Sequence, residues 1–569
     1  MNNCKLSEDK KLFKDPIYGY IEISSNIVRD IVDTPVFQRL RRIVQTSYSP
    51  LYPSSEHNRF AHSIGVYYLG DIVGDVLTNE IKNNCSVKGV DWDTINEVFR
   101  LSCLLHDVGH APFSHTGEKF YLDERAKDSR KILHDELIRL VKSPAFKNDV
   151  PLNVNPAAPH EIMSAIVGLS KFSTSYFNEP LKKEMFARCV TGYTFSTKKG
   201  EKDYQKNCLL NCYIALLNSK IIDVDRLDYV IRDAFFTGFD TVNIDYTRLL
   251  AYVTITGDYK LAYRKGAISV IENFVYAHDS GRKWIQNHPS ILYDMYILQN
   301  VMSYLDKNFS TKRKKLFSFE SLSEEGQELK RKTKISLLCD DDIISLMKTH
   351  CLGEILLSNE YFSRKDRRRT LWKNESEYKA FFLDKISGGT VLTNLEDALL
   401  NTKTYVQNAS YNWVIEDTII KRIEDEIKET EKKLNEQNVK KTNNKGKSSK
   451  NVDNINTRKK SLEKLLTTKQ SILKVMKCFQ EYAREKNEPC DFIVLDADQF
   501  YSGFNNVNFS DIDIVLNDRN NPKKFTDVVN PLSGGDKSRN NVFYIFCKRT
   551  ATGLEKEEIQ TRLMRAFVT

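Results

Sequence analysis

The adjacent pair His106 and Asp107, in the run LLHDVGHAPFSH, restricts the fold of this chain more than any other feature of its sequence. Apolar residues recur at spacings of three and four through Leu101, Leu104, Leu105 and Val108, which predicts a helix ending at the Gly109 stop just before Pro112. Neighbours on a helix point about 100° apart, so both side chains reach one ion only from a crevice between this helix and others. Further ligands must then come from distant segments. Seven of the ten histidines (His57, His62, His106, His110, His115, His134 and His160) lie in this early part of the chain. Imidazole both binds transition metals and moves protons near neutral pH, so packing alone does not account for the crowding.

Two segments supply the missing ligands. His62, in EHNRFAHSIGV, falls near the start of a helix. Asp225, in IIDVDRLDYVIRD, falls on a helix whose Leu227, Val230 and Ala234 face a core. With His106 and Asp107 they form a mixed imidazole and carboxylate set that suits one divalent transition metal (Fe, Mn, Zn or Ni) and leaves positions for water and a phosphate oxygen. His57 and His134 read as structural or surface residues. Asp228 reads equally as a salt-bridge partner on its helix or as part of the site.

The wider pattern predicts a mainly α fold. Residues 15 to 310 read as helices, with a second stripe in Leu69, Ile72, Val73, Val76 and Leu77. From 416 to 438, Ile420, Ile423, Ile427 and Leu434 recur at heptad-like spacing; Leu462, Leu465, Ile472 and Met476 repeat the theme at 459 to 480. Between them KKTNNKGKSSKNVDNINT is almost without apolar side chains, which predicts a helical hairpin with a flexible basic tip. After Pro489, the short runs DFIVLDADQF, DIDIVLND and NVFYIFCKRT predict a smaller α+β C-terminal lobe. Four parts are therefore expected: 1–310 with the site, a helical extension at 311–415, the inserted hairpin at 416–480 and the lobe at 481–569. Hydrophobic residues make up 41% of the chain, which excludes disorder throughout, and the net charge of +9 is too small against 85 basic residues to demand a nucleic-acid partner. Eleven scattered cysteines, an odd number without C-x-x-C pairs, point to reduced thiols. No apolar run is long enough for a signal peptide or a membrane span, so the expected location is cytoplasmic, without a membrane partner.

The ordered blocks NRFAHSIGV, LLHDVGHAPFSH, HEIMS and DVDRLDYVIRD resemble the HD superfamily. Together with DPIYGYIEI, DTPVFQRLRRIVQ and the C-terminal DFIVLDADQF and FYIFCKR, they are similar to its SAM and HD domain-containing deoxynucleoside triphosphate triphosphohydrolase branch, without the SAM domain. The resemblance implies His62, His106, Asp107 and Asp225 as metal ligands. It implies His110, His115 and His160 as catalytic histidines around a scissile phosphate, with Glu118 orienting the catalytic imidazole where the family has Asp. Arg59 matches a phosphate-contacting arginine, Gln45 a reader of the sugar 3′-hydroxyl, Tyr229 a residue that excludes a 2′-hydroxyl and Asp233 a carboxylate near the triphosphate. Asp33, Gln38 and Arg41 match the first part of a guanine-nucleotide effector site, whose second part is not evident. The loop TSYSPLYPSSEHN lacks the family's glycine run, and NHPSILYDMYILQNVMSYL lacks its basic cluster.

The implied activity is hydrolysis of deoxynucleoside triphosphates to deoxynucleoside and triphosphate, with Mg accompanying the nucleotide phosphates, by a homo-oligomer (dimer or tetramer). A second reading is an HD phosphohydrolase for another nucleotide, a phosphomonoester or nucleic-acid ends. A third is a nucleic-acid-binding or scaffold protein using the basic tract RKDRRRTLWK at 364–373 and the lysines at 440–450, although a solvated surface explains both tracts more simply.

Overall fold

The computed structural model of the protein describes residues 9–46, 51–87, 89–122, 129–150, 157–219, 222–239, 243–351, 356–365, 367–374, 376–378, 389–409, 414–443, 449–497, 511–529, 542–548 and 554–568. The class is mainly α. Seven helices carry or support the site. Helix α1 (Arg59–Asn84) starts where Asn58 Oδ1 accepts the Ala61 amide at 3.0 Å, satisfying one of the orphan donors of the first turn. Helix α2 (Trp92–Leu105) is capped by Asp91. Helix α3 (Pro159–Phe172) opens on proline, whose missing N–H would be unpaired there anyway, and the Glu161 carboxylate turns back to the Ala158 amide at 2.6 Å. After α4 (Pro180–Thr191) and α5 (Tyr204–Leu217), helix α6 (Val224–Thr237) is capped by Asp223, which accepts the Arg226 amide at 2.7 Å. Helix α7 (Ile268–Gly281) packs on α6.

Helix α1 is the hub, packed against α2, α5 and α6, while α4 joins α2 and α3. Leu69, Val73 and Leu77 of α1 are buried, as are Leu101, Leu104 and Leu105 of α2, each stabilising the fold by about 1.5–3 kcal/mol. Two glycines permit close approaches around the site. A Cβ at Gly65 of α1 would stand 2.1 Å from Asp228 Oδ1 of α6, and one at Gly109 would stand 2.4 Å from the Ser164 amide nitrogen of α3. The segment carrying His106 and Asp107 is thereby laid directly on the α3 backbone.

The described residues divide into two compact units, one from 1–286, 302–350 and 500–538, the other from 287–301, 351–499 and 539–569. This division crosses the boundaries expected at 310, 415 and 480. In the first unit, strand Asp513–Val515 lies parallel to Leu261–Arg264, which pairs with Val253–Ile255; Lys523–Lys524 completes the sheet. In the second, Phe543–Cys547 pairs with Phe492–Asp496 and with Arg369–Thr370. The expected C-terminal lobe is thus not one body: its strands serve two sheets. Ladder hydrogen bonds require a free strand edge, and sequence distance does not decide which edge is available.

Helices Asp417–Asn443 and Ser449–Glu485 pack together where the hairpin was expected. Both run further than the apolar pattern. Once the stem is packed, each added residue gains a hydrogen bond without a new nucleus, and no proline intervenes before the turn. Ile420, Ile423, Ile427, Ile472 and Met476 are buried, Leu434 and Leu462 are half-buried, and Leu465 departs from the stripe at 44% exposed. The turn itself, 444–448, lies outside the described residues.

Candidate metal centre

Three chain segments bring four side chains to one point. His62 stands in the first turn of α1, His106 caps α2, Asp107 follows it, and Asp225 lies in the first turn of α6. The Nε2 atoms of His62 and His106 are 3.3 Å apart. Asp225 Oδ1 lies 2.9 Å from His62 Nε2 and 3.6 Å from His106 Nε2, and Asp107 Oδ2 lies 3.6 and 3.4 Å from the same two atoms. His62 and His106 are buried, whereas the Asp225 side chain is 37% exposed, which opens the cluster on one side.

The opposite ring atoms fix the orientation. His62 Nδ1–H donates to Asp228 Oδ2 at 2.7 Å and His106 Nδ1–H donates to the Cys103 carbonyl at 2.9 Å, so both Nε2 lone pairs are left to face the cluster. Burial alone lowers the affinity of His62 for a proton, yet Asp225 and Asp228 on either side lift it to about 9. The carboxylates that favour this proton would equally favour a cation in its place, with the Nε2 lone pair released to it. His62, His106 and Asp107 lie close enough to share one ion, and Asp225 adjoins both imidazoles, a donor set that fits one divalent transition metal. Asp228 takes both roles left open by the sequence: it fixes His62 and accepts two hydrogen bonds from Arg232, at 2.8 and 3.0 Å.

A second cluster adjoins the first. His110 is fully buried, its ring nitrogens have no hydrogen-bond partner among the described residues, and its Nε2 lies 3.6 Å from Asp107 Oδ1. Burial, then the Arg59 charge and the neighbouring imidazoles, push its pKa well below the usual range, which makes it neutral. Its ring stacks on His160 at 4.3 Å and 15°, and His115 lies 5.1 Å from both. Stacked rings carry lone pairs that run parallel, so His110 and His160 do not converge on an ion although the three lie close enough. Glu118 joins the other two: it pairs with His160 Nδ1, and its Oε1 is 3.6 Å from His115 Nδ1. Burial disfavours the His160 charge, but Glu118 raises that ring to about 9, while the imidazoles hold Glu118 far below the carboxylate range. A carboxylate joined to imidazoles in this way can hold and pass a proton.

Arg59, buried beside the first cluster, donates to Asp107 Oδ2 at 2.7 Å, Ser114 Oγ at 2.9 Å and the Gln45 carbonyl at 3.2 Å. Gln45 is buried and its Oε1 has no partner among the described residues. Tyr229 and Asp233 follow Asp225 at successive turns of α6 and line a small cleft with His278 and Gln286. Asp233 is engaged: His57 Nε2 meets its Oδ1 at 2.7 Å, and His57 stacks on Phe236. His134 is also buried, between the Arg130 carbonyl and the Tyr193 hydroxyl. Asp33, Gln38 and Arg41 find their partners outside these clusters. Asp33 pairs with Lys11 at 3.2 Å, Gln38 accepts from Arg41 at 2.8 Å, and the Arg41 guanidinium covers the Phe60 ring.

Sequence reasoning missed two supports of the site. Arg39 donates to the carbonyls of Val108, His110 and Leu338 at 2.8, 3.0 and 2.8 Å, and Asp340 accepts the amides of Val44 at 2.9 Å and Phe113 at 2.6 Å. Phe113 has φ of 56° and Ser114 of 55°, a backbone that needs such external holding. Nothing local in the sequence signals either contact, because both partners are distant main-chain atoms.

Residues 59–151 match the HD domain. It is 29% identical over 277 residues to the uncharacterized protein YwfO of Bacillus subtilis, a match covering 48% of this chain and 50% of that protein. It is 30% identical over 251 residues to the deoxynucleoside triphosphate triphosphohydrolase SAMHD1 of Danio rerio, covering 44% of this chain and 37% of the enzyme. The chain thus spans about half or less of the length of these relatives. A crystal structure of a phosphohydrolase from Bacteroides thetaiotaomicron, 18% identical, covers 95% of this chain and 100% of its own with a TM-score of 0.51, a likeness of fold. Among the described residues no helix is long and apolar enough to cross a membrane, and every cysteine is a free thiol.

Proposed function

We propose that this protein is a metal-dependent HD phosphohydrolase that converts deoxynucleoside triphosphates to deoxynucleoside and intact triphosphate. One observation carries the reading: Asp107, which adjoins His62 and His106, also lies 3.6 Å from His110 of the second cluster, so an ester held at the first set is within reach of the second. The similarity to SAMHD1 supports the choice of substrate.

His62, His106, Asp107 and Asp225 hold the metal, which when bound supplies Lewis acidity toward a phosphoryl oxygen and a water. Arg59 fixes positive charge beside the α-phosphate. Water adds to the α-phosphorus, the bond to the 5′-oxygen breaks, and that oxygen takes a proton from the histidine cluster. His115, 55% exposed, is the member that meets substrate; Glu118 and His160 behind it keep the proton available. The unpartnered Gln45 Oε1 accepts a sugar hydroxyl, and Tyr229 leaves no room for a second one. The assembly is a homo-oligomer, and Asp33, Gln38 and Arg41 take part in an effector site.

The test is incubation of purified protein with each deoxy- and ribonucleoside triphosphate under Fe, Mn, Zn or Ni, with mass spectrometry of the products. Deoxynucleoside and triphosphate are expected. Pyrophosphate or monophosphate from an active preparation rejects the assignment in favour of another HD phosphohydrolase.

A further inference from the structure

Two basic turns stand side by side in the first unit, outside every tract considered above. The first follows helix Pro289–Phe309 and carries Lys312, Arg313 and Lys314, closed by the Thr311 amide donating to the Lys314 carbonyl at 2.7 Å. The second caps a small hairpin, Gln327–Glu328 paired with Lys334–Ile335, and carries Lys330, Arg331 and Lys332. Gln327 Nε2 donates to the Lys315 carbonyl at 2.7 Å, and the Arg331 guanidinium lies 5.3 Å from the Phe309 ring, which joins the hairpin to the first turn. All six cations are exposed, and none is in an ion pair among the described residues. The same stretch holds four carboxylates, Glu320, Glu324, Glu325 and Glu328, of which Glu325 is engaged by Lys171.

The backbone makes the choice of residues unusual. Arg331 and Lys332 both have positive φ, 59° and 56°, at the two central positions of a tight turn closed from Thr333 to Lys330. Such a turn favours Asn and Gly, because an L side chain there crowds its own backbone. Long cations kept where the backbone favours glycine suggest that the charge itself is used. The location has a consequence too. Phe317, just after the first turn, stacks on Phe120 at 5.0 Å, two residues beyond Glu118. The patch therefore flanks the cluster whose exposed member is His115. Leu316, Phe317, Leu329 and Ile335 are all buried, so these turns offer no apolar side chain to insert into a lipid surface.

We propose that this pair of turns binds the phosphate backbone of a nucleic-acid strand, alongside the catalytic cluster. A row of unpaired cations without an apolar anchor suits a phosphodiester chain, where affinity comes from counterion release and carries little sequence preference. The site is independent of the proposed hydrolysis: it needs no metal and no group of the catalytic cluster.

The test is fluorescence anisotropy of metal-free protein with single-stranded DNA, single-stranded RNA and duplex probes, from about 50 to 200 mM salt. The informative variant is Arg313→Ser, Lys314→Ser, Arg331→Gly and Lys332→Gly, because glycine relieves the positive φ and removes charge without threatening the fold. Wild type should bind with a steep salt dependence, and the variant should lose roughly tenfold in affinity at low salt with a shallower slope, at unchanged nucleotide hydrolysis and thermal midpoint. The exchange Arg331→Lys with Lys332→Arg should keep binding. No binding by wild type, equal binding by the variant, or binding only to phosphatidylserine vesicles overturns the proposal.

Discussion

Asp228 holds His62 by its Nδ1, 2.7 Å away, from a different helix and with both side chains fully buried. The contact decides which ring nitrogen faces His106 and Asp225. Asp228→Asn keeps the shape but weakens that orientation, and metal affinity should fall about 10–100-fold. Titration calorimetry with Zn or Mn on the folded variant measures it; unchanged affinity would show that His62 is oriented by packing alone.

The two clusters should separate under mutation. Asp107→Asn is expected to abolish metal binding and activity together. His115→Ala should keep the metal while turnover drops about 10²–10⁴-fold, since a positioned proton donor contributes about that much. Metal analysis of both variants beside their rates is sufficient, and equal metal loss in the two refutes the division.

Gly65 lets α1 and α6 meet. A methyl group in Gly65→Ala would lie 2.1 Å from Asp228 Oδ1 and 2.4 Å from Arg232 Nη2. The crossing must open, at a cost of about 1–3 kcal/mol or more, and metal binding should weaken in the same variant because Asp228 moves. Thermal midpoints and metal titration read the two effects, and a neutral result in both excludes the close crossing.

The His160 and Glu118 pair makes stability depend on pH. His160 rises to about 9 on folding, above its ordinary value of about 6.5, so the folded state binds more protons across that window. Its contribution is complete below about 6.5 and is lost as pH rises through about 9. Metal-free protein should therefore lose thermal stability over this range, and Glu118→Gln should flatten the loss. Parallel pH profiles for the two proteins would contradict the pairing.

Tyr229→Ala should relax the preference for deoxyribonucleotides by opening the cleft beside Asp225. The ratio of kcat/KM for deoxy- over ribonucleotide measures it. An unchanged ratio moves sugar selection to another residue.

The sequence by itself determined the helical class and a helical pair at 416–480, and it singled out four residues that the structure brings together. These rest on local order: stripes at spacings of three and four, and His106 beside Asp107 at a helix end, are visible wherever apolar and polar residues alternate with the period of a helix. Tertiary structure alone decided the division of the chain, because strand Asp513–Val515 could join Leu261–Arg264 only once both edges existed. It also decided the supports of the site. Asp228 reads as an ordinary carboxylate on its helix until α1 brings His62 to it, and Arg39 and Asp340 act on main-chain atoms up to 299 residues away. Backbone carbonyls and amides are the same at every position, so the sequence bears no mark of which ones a buried side chain will hold.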